Sequence, residues 1–172
     1  MASRLIWFVL GVIAAIVLSS AGAYAFLRGG GVSMATTSAP LPLEHAIARL
    51  ALHASFKSAL GLKNPRPLDE ANLTAGAHVY QQNCLVCHGA PGTTPTAIAR
   101  GMFPEPPQLF TAHDMITEDP EGEIYWRVTH GIRLSGMPGF ESTLSDTERW
   151  QVTMLMANAD KLSRAVQAAL RP

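Results

Sequence analysis

Residues 80–89 read Tyr80-Gln81-Gln82-Asn83-Cys84-Leu85-Val86-Cys87-His88-Gly89, and this stretch holds the only two cysteines of the 172-residue chain. Positions i and i+3 share one face of a helical turn, so Cys84 and Cys87 present two thiols side by side. The adjacent His88 then offers an imidazole on the same turn. A structural zinc site needs four protein ligands, usually from two such cysteine pairs, and no second pair exists. A thioredoxin-like redox pair calls for a βαβ context, and no strand pattern of any length occurs. Cys-x-x-Cys-His is the signature of covalent haem attachment: two thiols meet the two vinyl groups along one haem edge and the histidine lies under the iron. One haem c is therefore expected, held through Cys84 and Cys87, with His88 as an iron ligand.

Outward from this turn, residues 69–83 predict a helix running into the motif. Gly76 inside it costs about 1 kcal/mol relative to alanine and calls for a packing reason. Residues 89–120 contain six prolines (Pro91, Pro95, Pro104, Pro106, Pro107 and Pro120) and must be mostly loop. A second helix is expected after Asp119 as N-cap, with Pro120 at its first position and Glu121 and Glu123 in the first turn. Ile124, Trp126 and Val128 fill its body. A third begins at the capping box Ser145-Asp146-Thr147-Glu148, ahead of Trp150, Val152, Met154, Leu155 and Met156. The domain is thus mainly α with long loops.

One histidine leaves the iron's sixth position to a second residue. Six methionines follow Met1. Met137 is the best placed, because Gly136-Met137-Pro138-Gly139 is a loop sequence. Met154 and Met156 fit a helical apolar pattern and read as core. Met102 and Met115 are alternatives in the long loop, and His113 or His130 would give a bis-histidine haem. Thioether ligation raises the reduction potential and suits electron transfer.

At the N-terminal end, residues 5–27 (LIWFVLGVIAAIVLSSAGAYAFL) carry no charge. Their 23 residues exceed the ~20 that cross the hydrocarbon core as a helix. Trp7 and Tyr24 stand where interfacial aromatics are expected. A cleaved signal peptide is the alternative, with Ala23-Tyr24-Ala25 as a small-x-small site, but the apolar run outlasts the usual h-region. Residues 29–42 have a flexible spacer's composition. An amphipathic helix is expected over residues 43–60, with Leu43, Ile47, Leu50, Ala51 and Ala54 on one face and His45, Arg49, His53 and Lys57 on another. The Leu62–Leu68 stretch LKNPRPL then breaks it with two prolines. The expected organisation is an anchor over residues 1–28, a spacer and amphipathic helix over 29–67, a folded domain over 68–162 and a tail over 163–172.

The formal net charge is zero, yet the signs segregate. Residues 69–161 hold five basic residues against twelve acidic ones, a net −7, whereas residues 44–66 hold four basic against Glu44, a net +3. An acidic globule excludes a nucleic-acid footprint and favours redox partners with a basic docking surface.

From about residue 68 to 162 the chain resembles the class I cytochrome c family of small, mainly α-helical monohaem electron carriers. The shared features are Cys84-Leu85-Val86-Cys87-His88 near the start and Met137 in a later loop. Gly76 and Tyr80, four apart, look like the family's glycine and aromatic pair that packs on the C-terminal helix, with Trp150 at the aromatic position there. The resemblance implies that a proline carbonyl within Pro104-Glu105-Pro106-Pro107 accepts the His88 Nδ1 hydrogen. It also likens Tyr125-Trp126-Arg127 to the stretch approaching the haem propionates, where Arg127 is a candidate propionate partner or a surface arginine. Its further implications are one-electron transfer without a substrate at the iron, and attachment of the haem outside the cytoplasm. A tethered carrier in the bacterial inner membrane, with its haem domain in the periplasm, is the resulting expectation. Its alternatives are a fixed haem subunit of a larger oxidase or dehydrogenase, and a haem enzyme or gas binder with an open sixth position.

Overall fold

The structure is a computed structural model that describes residues 2–111 and 116–171. The expected alternatives His113 and Met115 lie outside the described residues. Two compact units are present, residues 1–38 and residues 39–172. Helix α1 (Ala2–Arg28) dominates the first and is the one described helix long and apolar enough to cross a membrane. None of its residues is buried against protein, as expected of a helix whose apolar surface faces lipid.

The second unit is built from α2 (Glu44–Ser55), α3 (Glu70–Asn83), α4 (Leu85–His88), α5 (Ala97–Arg100), α6 (Glu121–His130), α7 (Asp146–Ala157) and α8 (Arg164–Ala169). Short 3₁₀ turns occur at Lys57–Ala59 and Ile116–Glu118, and no strand occurs among the described residues. Asp69 caps α3 by accepting the Asn72 N–H at 2.8 Å. Ser145 and Glu148 form both halves of the capping box of α7. The expected cap of α6 differs: Pro120 is the N-cap and makes no side-chain bond. The Asp119 carboxylate bonds the Arg127 guanidinium at 2.7 Å instead, since an arginine two turns into the helix offers a stronger, charge-assisted donor.

The core lies where α3 crosses α7, flanked by α6 and α8. Gly76 makes this crossing possible, because a Cβ there would stand 2.3 Å from the Gln151 carbonyl oxygen and 3.3 Å from Leu155 Cβ. The glycine's propensity cost therefore has its packing reason. Trp150 does not complete this contact; its ring stacks on Tyr125 of α6, centroids 4.0 Å apart.

Residues 163–171, expected as a tail, are part of the core. Ser163 caps α8 through the Val166 N–H, and Val166 and Leu170 are fully buried with Leu155 and Ala77. Six helical residues give too short a hydrophobic period to stand out in the sequence, so only the packing reveals the helix. The folded unit also begins before residue 68. Phe56 and Ala59 are buried, and a Cβ on Gly122 of α6 would lie within 1.8 Å of the Ala59 carbonyl.

Candidate haem site

Three consecutive devices shape the Cys84–His88 turn. The N–H groups of Cys87 and His88 both bond the Cys84 carbonyl, at 3.1 and 2.9 Å, which winds the two thiols and the imidazole onto one turn. Gly89 ends that turn at φ +68, where a Cβ would strike Gln108 Oε1 at 2.3 Å. The loop beyond is strapped back: Gln108 donates to the Cys87 carbonyl at 3.1 Å and Leu109 N–H to the His88 carbonyl at 3.4 Å. From α3, the Tyr80 hydroxyl donates to the Gly89 carbonyl at 2.7 Å while its ring meets Phe110 edge-on. Burial, reinforced by the neighbouring Cys84 and Cys87, holds this phenol far above its ordinary pKa, so the donor proton stays in place.

His88 Nδ1 lies 2.9 Å from the Pro107 carbonyl oxygen, which identifies the proline left open by the sequence. A proline carbonyl only accepts, so Nδ1 carries the hydrogen and Nε2 is the nitrogen with a free lone pair. Burial lowers the His88 pKa, and the Pro107 bond opposes that shift. The neutral ring favoured by burial is the form that ligates a metal. Burial, with Cys87 nearby, pushes the Cys84 thiol up to about 12, so it stays protonated at neutral pH.

The Met137 loop is closed by its glycines. At Gly131, φ +67, a Cβ would meet Gly139 N and the Pro138 carbonyl carbon at 2.5 Å; at Gly139 one would meet the His130 carbonyl at 2.7 Å. The two chain segments thus cross at backbone contact. Ile132 N–H bonds the Met137 carbonyl at 3.1 Å, and Met137 N–H bonds Ser135 Oγ at 3.2 Å. Leu134 at its tip sits at φ +60, a conformation that non-glycine residues rarely adopt.

Met102 joins the two sides. Its sulfur is 3.8 Å from Cys87 Sγ, and its methyl group fills the space a side chain at Gly136 would need. The loop carrying Met137 therefore approaches the cysteine turn, with Met102 between them. This bridging position was not legible, because Met102 and Gly136 are 34 residues apart with no local pattern linking them. Of the remaining candidates, Met154 and Met156 are buried core residues of α7, as expected. His130 lies against Trp126 with Nδ1 3.8 Å from Glu141. Arg127 does not stand free for a propionate. Its guanidinium binds Asp119 and Glu123 and lies over the Phe56 ring, because two carboxylates on its own helix and the preceding turn are already in reach.

Among the described residues no three His, Cys, Asp or Glu side chains gather as they would around a bare metal ion. Two thiols on one turn fit the vinyl groups of a haem, and the adjacent imidazole with its free Nε2 fits the iron, whose four in-plane ligands come from the porphyrin. A family model described as cytochrome c oxidase, cbb3-type, subunit III, matches residues 71–156, half of the chain, from the first turn of α3 to the last of α7. The matched span contains the cysteine turn, Pro107 and the Met137 loop, so the chain belongs to that family and carries a c-type cytochrome domain.

Proposed function

We propose that this protein carries one electron at a time through a single haem c bound to Cys84 and Cys87, with His88 and Met137 as the axial ligands. The observation that carries this reading is the His88 Nδ1 contact to the Pro107 carbonyl, which fixes the tautomer and aims Nε2 away from the loop. When bound, the haem supplies an Fe(III)/Fe(II) couple. The chain's residues supply the rest. Cys84 and Cys87 hold the group permanently, Pro107 orients and polarises the His88 ring, and the Met137 thioether favours the reduced state relative to a second histidine. With both axial positions filled by protein, no small-molecule substrate reaches the iron and the protein is not an enzyme.

Helix α1 holds this domain at a bacterial inner membrane, with the domain on the periplasmic side where haem is attached. Residues 29–42 let it move between docking sites at raised effective concentration. Its acidic surface suits partners with basic docking faces in a respiratory chain. The family description favours a second reading, in which the chain is a fixed haem subunit of a larger oxidase. Co-purification of a stoichiometric partner from mild detergent supports the fixed subunit; isolation as a lone chain supports the carrier.

The ligand assignment is tested by near-infrared spectra of the oxidised protein beside Met137→Ala and Met102→Ala. The methionine-to-iron band is expected in the wild type and in Met102→Ala, and lost in Met137→Ala. Loss in Met102→Ala alone would transfer the ligand role to Met102.

A further inference from the structure

Helix α2 is held at both ends and left open between them. Phe56, just past its C-terminal end, is buried, meets the Trp126 ring of α6 edge-on at 6.2 Å and lies under Arg127. Near its N-terminus the His45 ring is 5.8 Å from that of Phe103. At about 3.6 residues per turn, Ala46, Ile47 and Ala54 lie within about 60° of Leu50, and together they make one apolar face. That face is uncovered: Ile47 is 63% and Leu50 74% exposed, with Ala46 and Ala54 exposed beside them. Leu52, about 160° around the helix from Leu50, is the one apolar residue of α2 that is partly buried. The helix thus turns its apolar face away from the side on which it is attached.

The charges around this face indicate what covers it. Arg49, Lys57 and Lys63 are exposed and enter no ion pair among the described residues. Glu44, the one acidic residue of the 44–66 stretch, is turned back to accept the Leu41 N–H at 2.7 Å. An apolar stripe accompanied by cations is the pattern of a helix lying in the plane of a bilayer, its apolar side among acyl chains and its cations at anionic headgroups. The chain brings such a surface within reach. Helix α1 is long and apolar enough to cross a membrane, and the 15 residues 29–43 extend at most about 50 Å before α2 begins. Residues 69–161, at net −7, are repelled by the same headgroups, so α2 is the part of the folded unit that suits an anionic surface. A second copy docked here about a two-fold axis would instead bring Arg49 and Lys57 towards their own likes.

We propose that α2 lies on an anionic phospholipid surface, with Leu50, Ile47, Ala46 and Ala54 among the upper acyl chains and Arg49, Lys57 and Lys63 at the phosphates. The inference rests on the reading of α1 as a membrane anchor. It gives the segment between anchor and domain a task beyond spacing, that of a second, reversible membrane contact. The docked helix keeps the domain at the bilayer while its acidic residues are held off the lipid. The domain then meets membrane-bound redox partners by travelling in the plane of the membrane.

The test is hydroxyl-radical footprinting by radiolysis of the full-length protein in nanodiscs that hold one chain each. The discs are made of phosphatidylcholine alone or of phosphatidylcholine mixed with phosphatidylglycerol. Ile47 and Leu50 are expected to be protected in the phosphatidylglycerol discs relative to the others, while Leu134, 87% exposed on the Met137 loop, reacts equally in both. Each cation contributes about fivefold to the ratio of docked to undocked helix, so Arg49→Gln/Lys57→Gln should lower that ratio about 25-fold and restore the reactivity of both residues. Lys161→Gln, a charge change outside α2, should leave the protection intact. Ile47 and Leu50 as reactive as Leu134 in both lipids would overturn the proposal, and protection of residues 5–27 in the same discs would leave the anchor reading standing. Protection equal in both lipids and unaffected by Arg49→Gln/Lys57→Gln would overturn it in favour of cover by the chain itself. Protection seen only in discs holding two chains would overturn it in favour of a second copy. Residues 5–27 left reactive in every disc would overturn the anchor reading and this one with it.

Discussion

Hydrogen bonds hold the turn that carries Cys84, Cys87 and His88, whereas close backbone packing at two glycines holds the loop that carries Met137. On the cysteine side, Tyr80, Gln108 and Pro107 each bond the turn directly. On the methionine side, Gly131 and Gly139 let two backbones meet where any Cβ would collide. The first arrangement tolerates loss of one bond at a cost of about 1–3 kcal/mol, spread over several partners. The second also has hydrogen bonds, from Ile132 N–H to the Met137 carbonyl and from Met137 N–H to Ser135 Oγ, but a side chain at either glycine would push the crossing segments apart. Attachment and ligation should therefore fail separately.

The largest effect is expected from breaking the attachment. The double variant Cys84→Ala/Cys87→Ala should contain no covalent haem, checked by haem-dependent peroxidase staining of a denaturing gel. Haem retained through such a gel would show that the thiols are not the attachment points. Breaking the loop should be milder and more selective. Gly131→Val combines a branched side chain with φ +67, a strain of about 1–3 kcal/mol, and should keep the haem while losing the near-infrared methionine band. An unchanged band would mean that the loop is not held at this crossing.

Gly76→Val sharpens the comparison by disturbing a close approach remote from the ligands. Overpacking the α3–α7 crossing should lower stability by about 1–3 kcal/mol in denaturant titrations and leave the band in place. The smallest effect belongs to a surface cap. Ser145→Ala should cost about 1 kcal/mol at neutral pH. Its side chain and backbone hydrogen bonds hold the Glu148 carboxyl below its usual pKa. A carboxylate with a lowered folded pKa stabilises the fold above its unfolded pKa and loses that contribution as the pH falls through the folded value. The gap between wild type and Ser145→Ala should accordingly narrow in acid, and a gap constant down to low pH would contradict the capping interaction.

The features written in local patterns were legible before the structure. Cys84-Leu85-Val86-Cys87-His88 announced the haem, Ser145 and Glu148 announced α7, and Gly76 announced a close helix crossing. Asp69 as the cap of α3 follows the same rule of a side chain serving its own neighbourhood. What stayed hidden depends on partners distant in sequence. Arg127 looked available until Asp119 and Glu123 were seen on its guanidinium, and Met102 had no visible tie to Gly136. Residues 163–171 looked like a tail because burial of Val166 and Leu170 requires α3 beside them. Helix α2 was legible as a helix, but its expected apolar face is not the one that packs: Leu43, Ile47, Leu50, Ala51 and Ala54 are exposed, and Phe56 just beyond the helix makes the attachment to Trp126, a partner 70 residues away that no local pattern announces.

The most direct test of the central claim is a spectroelectrochemical titration of the purified full-length protein with its covalent haem quantified per chain. One haem per chain and a single Nernst curve of about 59 mV per tenfold change, the one-electron slope, are predicted. A chain without covalent haem, or one whose spectrum shows no reversible one-electron transition, would contradict the assignment as an electron carrier.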